Sequence, residues 1–307
     1  MSNWFLIALI APVLWSINTH TDKYFLSKYF KGEGTGAVFL FSALFSIIVA
    51  GIAFFFTDHK IFALTAEHLV VLLIVGVTSG LGFYSYLKAL NQEEASVVVP
   101  FLQLIPVFGY FFGSILLGET LTKNQLLASL LIIIGLVVIS LEFEVDSKVK
   151  ISRKFIPTIV LSALFFSLHD VLFKLVAIKE DFILSIFWQY AGLAVVGILI
   201  FIVVPKYRKQ FFQLFRVNHK AFIGLNIASE IVYIVGNITN NFATLLAPVA
   251  LVLVVSSYQP LFVFIGGIIL TTFFPKIATE RMSGRHLLQK ALSLIIVFIG
   301  SYMLYYL

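Results

Sequence analysis

Six residues of one segment, Asn226, Glu230, Tyr233, Asn237, Asn240 and Thr244, follow one another at intervals of 4, 3, 4, 3 and 4. On an α-helix that spacing puts all six on one face, with Asn241 beside them. The intervening positions are mostly apolar, so the segment presents a row of hydrogen-bonding groups and one carboxyl along an otherwise greasy surface. Two readings fit such a stripe. One is the polar wall of a water-accessible solute path; the other is hydrogen bonding that glues the helix to its neighbours. Six residues, one of them ionisable, exceed what gluing requires and favour the path.

A second constellation runs from Ser162 through Ser167, His169 and Asp170 to Lys174. Asp170 and Lys174 stand one helical turn apart, the spacing of an ordinary helix ion pair, which would neutralise both charges away from water. His169 beside a carboxylate could exchange protons near neutral pH. Asp170, His169 and Glu230 are therefore the candidates for proton coupling, against the alternative that they form purely structural pairs. A third cluster, Trp15, Asn18, Thr19, His20, Asp22 and Lys23, again places polar residues one turn apart. For Asp22 and Lys23, snorkelling to an interface is the competing explanation. Tyr84, Tyr86 and Lys88, Trp188 and Tyr190, and Tyr258 add aromatic and polar groups, while Gln103, Gln189 and Gln259 are amides deep within apolar runs. The expected solute contacts are Trp15, Asn18, Tyr84, Gln103, His169, Gln189, Glu230, Tyr233, Asn237, Asn240 and Gln259. Lys23, Lys174, Pro106 and Pro260 are expected to be structural.

Other chemistry is missing. The chain has no cysteine, so disulfides, thiolate metal sites and cysteine nucleophiles are excluded. There is no phosphate-binding glycine loop, His-Glu-x-x-His pair or nucleophile elbow, which argues against a pump, a metalloprotease or a hydrolase. His59, His68, His219 and His286 lack metal-ligand spacing. No cofactor, no metal and no enzymatic activity are expected.

The elements that hold these groups are set by composition. Of 307 residues, 60% are hydrophobic and 12% charged, and the mean hydropathy is +1.04, far from the roughly 25% charge of soluble domains. Apolar stretches long enough to cross a hydrocarbon core recur throughout. They predict ten spans, near 4–24, 36–56, 68–90, 95–117, 122–141, 155–177, 182–204, 221–244, 247–273 and 287–306. The first lacks a basic leader and a small-x-small cleavage site and is expected to be retained as a span. The net charge of +6 resides in short loops, which points to lipid headgroups rather than nucleic acid. Within 205–220, Lys206, Arg208, Lys209, Arg216 and Lys220 interleave with Phe211, Phe212, Leu214 and Phe215, as in a helix lying in the interface or a plain basic loop.

The ten spans divide into two halves, 1–142 and 155–307, joined by a charged linker, 143–154. An offset of 151 lays Ser16 on Ser167, Asn18 on His169, Thr19 on Asp170 and Lys23 on Lys174; an offset of 154 lays Gly82 on Gly236, Ala89 on Ala243, Pro106 on Pro260 and Gly113 on Gly267. Five spans per half would give the halves opposite orientation, the inverted-repeat plan of many secondary transporters, with a site between them near the midplane. All but Lys60, Lys123, Lys174 and Lys179 of the 21 lysines and arginines lie in or beside the loops that follow odd-numbered spans. The positive-inside rule makes those loops cytoplasmic and puts both termini outside. Gly76 with Gly80 and Gly109 with Gly113 are small-xxx-small pairs for close helix packing. Pro100, Pro106, Pro248 and Pro260 interrupt spans 4 and 9, as static kinks or as bends used in rocking.

The segment from Ala95-Ser96 through Leu104-Ile105-Pro106-Val107-Phe108, followed by Leu117-Gly118-Glu119-Thr120-Leu121-Thr122, resembles the EamA-type members of the drug/metabolite transporter superfamily. The second half keeps Tyr258-Gln259-Pro260-Leu261-Phe262 but replaces the Gly-Glu-x-Leu-Thr element by a linker through Pro275, Lys276, Glu280 and Arg281. The resemblance implies an alternating-access carrier in the plasma or inner membrane, with a cavity walled by spans 1, 3, 4, 6, 8 and 9. It also implies cytoplasmic termini, opposite to the charge count. Asn, Gln and Tyr linings suit a small polar or zwitterionic metabolite such as an amino acid. A multidrug or cation exporter, with Glu230 or Asp170 as counter-charge to a solute held by Trp15 and Trp188, is the alternative. A lipid-handling protein would need a lateral groove that the sequence does not show.

Overall fold

The computed structural model describes residues 3–25, 34–57, 61–92, 98, 101–140, 155–217, 221–273 and 284–306. The linker 143–154 and the segment with Pro275, Lys276, Glu280 and Arg281 lie outside them, as do Ala95, Ser96, Pro100, His59, His219 and the side chains of Asp22, Lys23, Arg216 and His286.

Twelve helices form among the described residues, and no strand. They are α1 (Trp4–Phe25), α2 (Thr35–Phe55), α3 (Ala66–Leu90), α4 (Leu104–Leu116), α5 (Lys123–Ser140), α6 (Phe155–Ala177), α7 (Phe182–Val203), α8 (Pro205–Val217), α9 (Ala221–Leu246), α10 (Val249–Ser256), α11 (Gln259–Phe273) and α12 (Gly284–Tyr306). Six stretches are long and apolar enough to cross a membrane, with Val249–Phe273 taken as one; α4, α5 and α12 supply shorter apolar segments. Large apolar side chains such as Ile52, Phe55, Ile115, Ile202 and Phe298 face outward, as they do where the surrounding solvent is lipid. The chain is a multi-pass helical membrane protein. The 205–217 stretch is a helix, not a loop: Phe211 and Phe212 pack on Phe201 of α7, and Tyr207 lies on Gly36 of α2.

Proline sets the breaks. Pro106 stands in the first turn of α4 and Pro260 in the first turn of α11, where a missing N–H costs nothing. Pro248 caps α10, and the residues predicted as span 9 become α10 and α11, parted at Ser257 and Tyr258. After α4, Gly118 adopts φ +66°, the left-handed region that glycine enters without strain. The reversal lets the Glu119 N–H donate to the Gly113 carbonyl at 3.1 Å. Thr122 and Gln125 then exchange side-chain to backbone bonds at 3.2 and 2.9 Å, a capping box that starts α5.

Antiparallel pairs join early helices to late ones. In α3 and α6, the Ser162 hydroxyl donates to the Gly82 carbonyl at 2.9 Å and His169 Nδ1 to the Val75 carbonyl at 3.2 Å. The residue number falls on one helix as it rises on the other. In α1 and α9, the Asn18 amide donates to the Ser229 carbonyl at 2.8 Å while Gly236 abuts Trp15. Gly197 of α7 rests on Ala43 of α2, and Gly300 of α12 rests on Ile132 and Ala128 of α5. Gly76, expected to permit close packing, meets backbone atoms of Gln189, Gly192 and Leu193 in α7.

Candidate functional site

Six helices, α1, α3, α6, α9, α10 and α11, and the start of α4 surround a cavity of about 140 Å³. Trp15, Asn18, Gln103, His169, Asp170, Tyr233, Asn237, Gln259 and Pro260 line it, as do Thr19 and Tyr86. These come from segments far apart in sequence.

The side chains that line it are held by bonds to neighbouring helices. Asn18 donates to both the carbonyl and the hydroxyl of Ser229, each at 2.8 Å. Gln103 donates to the Ser257 carbonyl at 3.3 Å, and Gln259 to Thr19 Oγ1 at 2.9 Å and the Trp15 carbonyl at 3.4 Å. His169 Nδ1 faces the Val75 carbonyl, which can only accept, so Nδ1 carries the proton and Nε2 of the neutral ring is an acceptor. Asp170 Oδ1 accepts from the Asn240 amide at 2.9 Å, whose oxygen in turn accepts from the Ser256 hydroxyl at 2.6 Å. Asn240 thus buttresses Asp170 and does not itself line the cavity.

The polar stripe of α9 has divided uses. Tyr233 and Asn237 line the cavity. Glu230 lies in an adjoining chamber of about 20 Å³ with Ser42, Ser46 and Tyr190, and accepts a hydrogen bond from the Ser42 hydroxyl. Ser79, Phe83 and Tyr233 border both spaces. Thr244 bonds the carbonyl of Asn241 on its own helix at 2.7 Å, and the Asn241 amide donates to Gln189 at 2.8 Å. One helix face therefore supplies both lining and glue.

Several residues are placed elsewhere than expected. Lys174 does not pair with Asp170: its Nζ is 2.5 Å from Glu119 Oε1 and donates to the Ala247 carbonyl at 2.8 Å, because these acceptors cluster at the end of α6 while Asn240 occupies Asp170. Gln189 lies outside the cavity lining, 1% exposed and spent on Asn241. Tyr84 also lies outside it, its hydroxyl sharing a 2.8 Å hydrogen bond with that of Tyr207, so that it ties α3 to α8. Trp188 is engaged elsewhere too, donating to the Ile61 carbonyl at 2.7 Å.

Some lining residues went unnoticed in the sequence: Ser79, Phe83, Phe166, Ser256, Ser257 and Val263. Phe166 had a usable signal, since the offset of 151 lays it on Trp15. Phe166 contacts Gly82 and Trp15 contacts Gly236, the glycines that the second offset matches.

Residues 2–141 match the model of the EamA-like transporter family. Through them the first half of the chain is similar to the EamA-like transporter family. Over 134 residues it is 28% identical to an uncharacterized transporter of Clostridium kluyveri, a match covering 43% of this chain and 42% of that protein. The chain thus aligns with less than half the length of that relative. A crystal structure described only as that of a protein superposes with a TM-score of 0.67 over 99% of this chain and 96% of its own, at 16% identity, which is a likeness of fold.

Proposed function

We propose that this protein is an alternating-access secondary transporter of a small polar metabolite, built as ten spans in two inverted halves, 1–142 and 155–307, in the plasma membrane. The observation that carries the reading is the paired contact of Trp15 with Gly236 and Phe166 with Gly82 at the cavity wall. Two repeats meeting through equivalent contacts can exchange conformations by rocking, each end of the cavity taking the other's role. The pairing of α1 with α9 and of α3 with α6 supports it, because exchanging the halves turns one pair into the other.

One end of the cavity carries a closure. From Asp170, α6 continues through Val171 to Lys174; from Leu253, α10 runs back to Val249. Val171, Val249 and Leu253 form an apolar cluster with Ile105, Phe112 and Leu117. Beyond it Glu119 bridges Lys174 and the Val249 N–H, the latter at 2.8 Å. Opening that end requires separating these groups. Asp170, His169 and Glu230 are the groups through which a proton gradient would act.

The test is reconstitution into liposomes loaded with a mixture of amino acids, amines and organic acids, with release followed by mass spectrometry. Release of a defined subset, lost in Asn237→Ala, is expected. Release no faster than from protein-free liposomes would overturn the transport reading.

A further inference from the structure

We infer that the solute of the 140 Å³ cavity is a donor-rich organic cation, a protonated amine or guanidinium, rather than a zwitterion or an anion. The inference rests on the carrier reading only in taking the cavity to be where solute sits. What it adds is the charge and hydrogen-bonding sense of that solute.

Four side chains of the lining, from three different helices and the turn before α4, share one habit. Asn18, Gln103, Gln259 and His169 each direct an N–H at a backbone carbonyl, of Ser229, Ser257, Trp15 and Val75 respectively. A carbonyl cannot donate, so the amides cannot be turned round without losing these bonds. Each residue therefore has an acceptor left over. For three of them that acceptor, Asn18 Oδ1, Gln103 Oε1 and His169 Nε2, is buried and has no partner. The residues are 9%, 4% and 3% exposed. A buried acceptor without a donor is unfavourable, and an incoming N–H relieves it. Against these three acceptors stands one buried donor without a partner among the described lining residues, Trp15 Nε1.

Charge points the same way. Asp170 lines the cavity, and among the described residues no lysine or arginine does. The two ion pairs among the described residues, His68 with Glu180 and Lys174 with Glu119, leave Asp170 out. A solute carboxylate would meet Asp170 with no lysine or arginine among the described lining residues to receive it, which disfavours both anions and amino acids. A solute ammonium would meet a carboxylate, three acceptors and the rings of Trp15, Phe83, Phe166 and Tyr233, a surround that attracts cations.

The experiment compares one carbon skeleton with four head groups. Thermal unfolding of the full-length protein in detergent is followed with phenethylamine, phenylalanine, phenylacetate and 2-phenylethanol, then with butylamine, norvaline, butyrate and butanol. A ligand of the folded form raises its apparent stability. The amine of at least one series is expected to stabilise most, with an apparent Kd about tenfold or more below that of its neutral partner. Asp170→Asn, where it folds, should erase that difference. The wild-type series decides the matter where it does not. Equal or stronger stabilisation by the amino acid, the acid or the alcohol overturns the cation assignment and leaves the carrier reading standing. Stabilisation by none of the eight also overturns the assignment; the carrier reading is then judged by the mixed-solute release experiment, which presumes no charge.

Discussion

The ammonium of Lys174 sits 2.5 Å from the carboxylate of Glu119, 55 residues away, although Asp170 stands one turn back on its own helix. Both side chains are largely buried, at 12% and 13% exposure, and the second carboxylate oxygen accepts the first N–H of α10. This contact fastens the turn after α4 to both α6 and the α9–α10 junction.

Breaking that pair on one side should be costly. Glu119→Gln leaves the Lys174 ammonium with neutral acceptors only, and Lys174→Met strands the carboxylate. Removing one partner of a buried pair costs about 3 kcal/mol. Thermal unfolding of the single variants should show clear losses, and Glu119→Gln combined with Lys174→Met should lose less than their sum. Additive losses in that cycle would mean the pair is not coupled.

The glycines give a graded test of packing. A Cβ on Gly76 meets backbone of α7, which cannot swing away, whereas a Cβ on Gly51 meets nothing within 4 Å. Gly76→Ala should destabilise the fold by about 1–3 kcal/mol, and Gly51→Ala should be neutral or slightly stabilising. Gly236→Ala lies between them. Its Cβ would press 2.8 Å from Trp15 Nε1, so its effect should fall on solute binding more than on stability. Thermal unfolding with and without bound amine separates the two effects.

What could be foreseen in the sequence followed from periodicity within one helix. The α9 stripe showed that Tyr233, Asn237 and Asn240 share a face, and the offset of 151 matched Asn18 with His169. Partners across helices were beyond its reach. Spacing suggested Asp170 with Lys174 because only same-helix neighbours can be inferred from i and i+4; Glu119 and Asn240 come from elements whose approach depends on tertiary packing. The same limit explains Gln189 and Tyr84. An amide or phenol within an apolar run needs a partner, but the sequence does not say whether that partner is solute or protein. The acceptor-rich character of the cavity was equally hidden, since the direction of an amide depends on which neighbour is a carbonyl.

Proton coupling gives a third prediction. Asp170 lines the main cavity and Glu230 the adjoining chamber. In liposomes, Asp170→Asn with Glu230→Gln should abolish accumulation driven by a pH gradient, while exchange without a gradient is weakened only as far as Asp170→Asn weakens amine binding. Unchanged accumulation in the double variant would rule out both residues as coupling groups.

The last prediction separates lining from glue. Gln189 and Asn241 bond each other at 2.8 Å and lie outside the cavity lining, at 1% and 0% exposure. Asn241→Leu leaves the Gln189 amide unmatched in the interior, at a cost of about 1–3 kcal/mol. Replacing both by leucine removes the unmatched group and should recover part of that loss, because paired polar groups can be exchanged together for apolar ones more cheaply than either alone. Through this, the apparent Kd for phenethylamine should stay at the wild-type value. Gln103→Leu should do the reverse, weakening amine binding severalfold because it removes an acceptor from the cavity wall. A loss of binding in the Gln189 and Asn241 double variant as large as that in Gln103→Leu would mean that the solute path extends between α7 and α9.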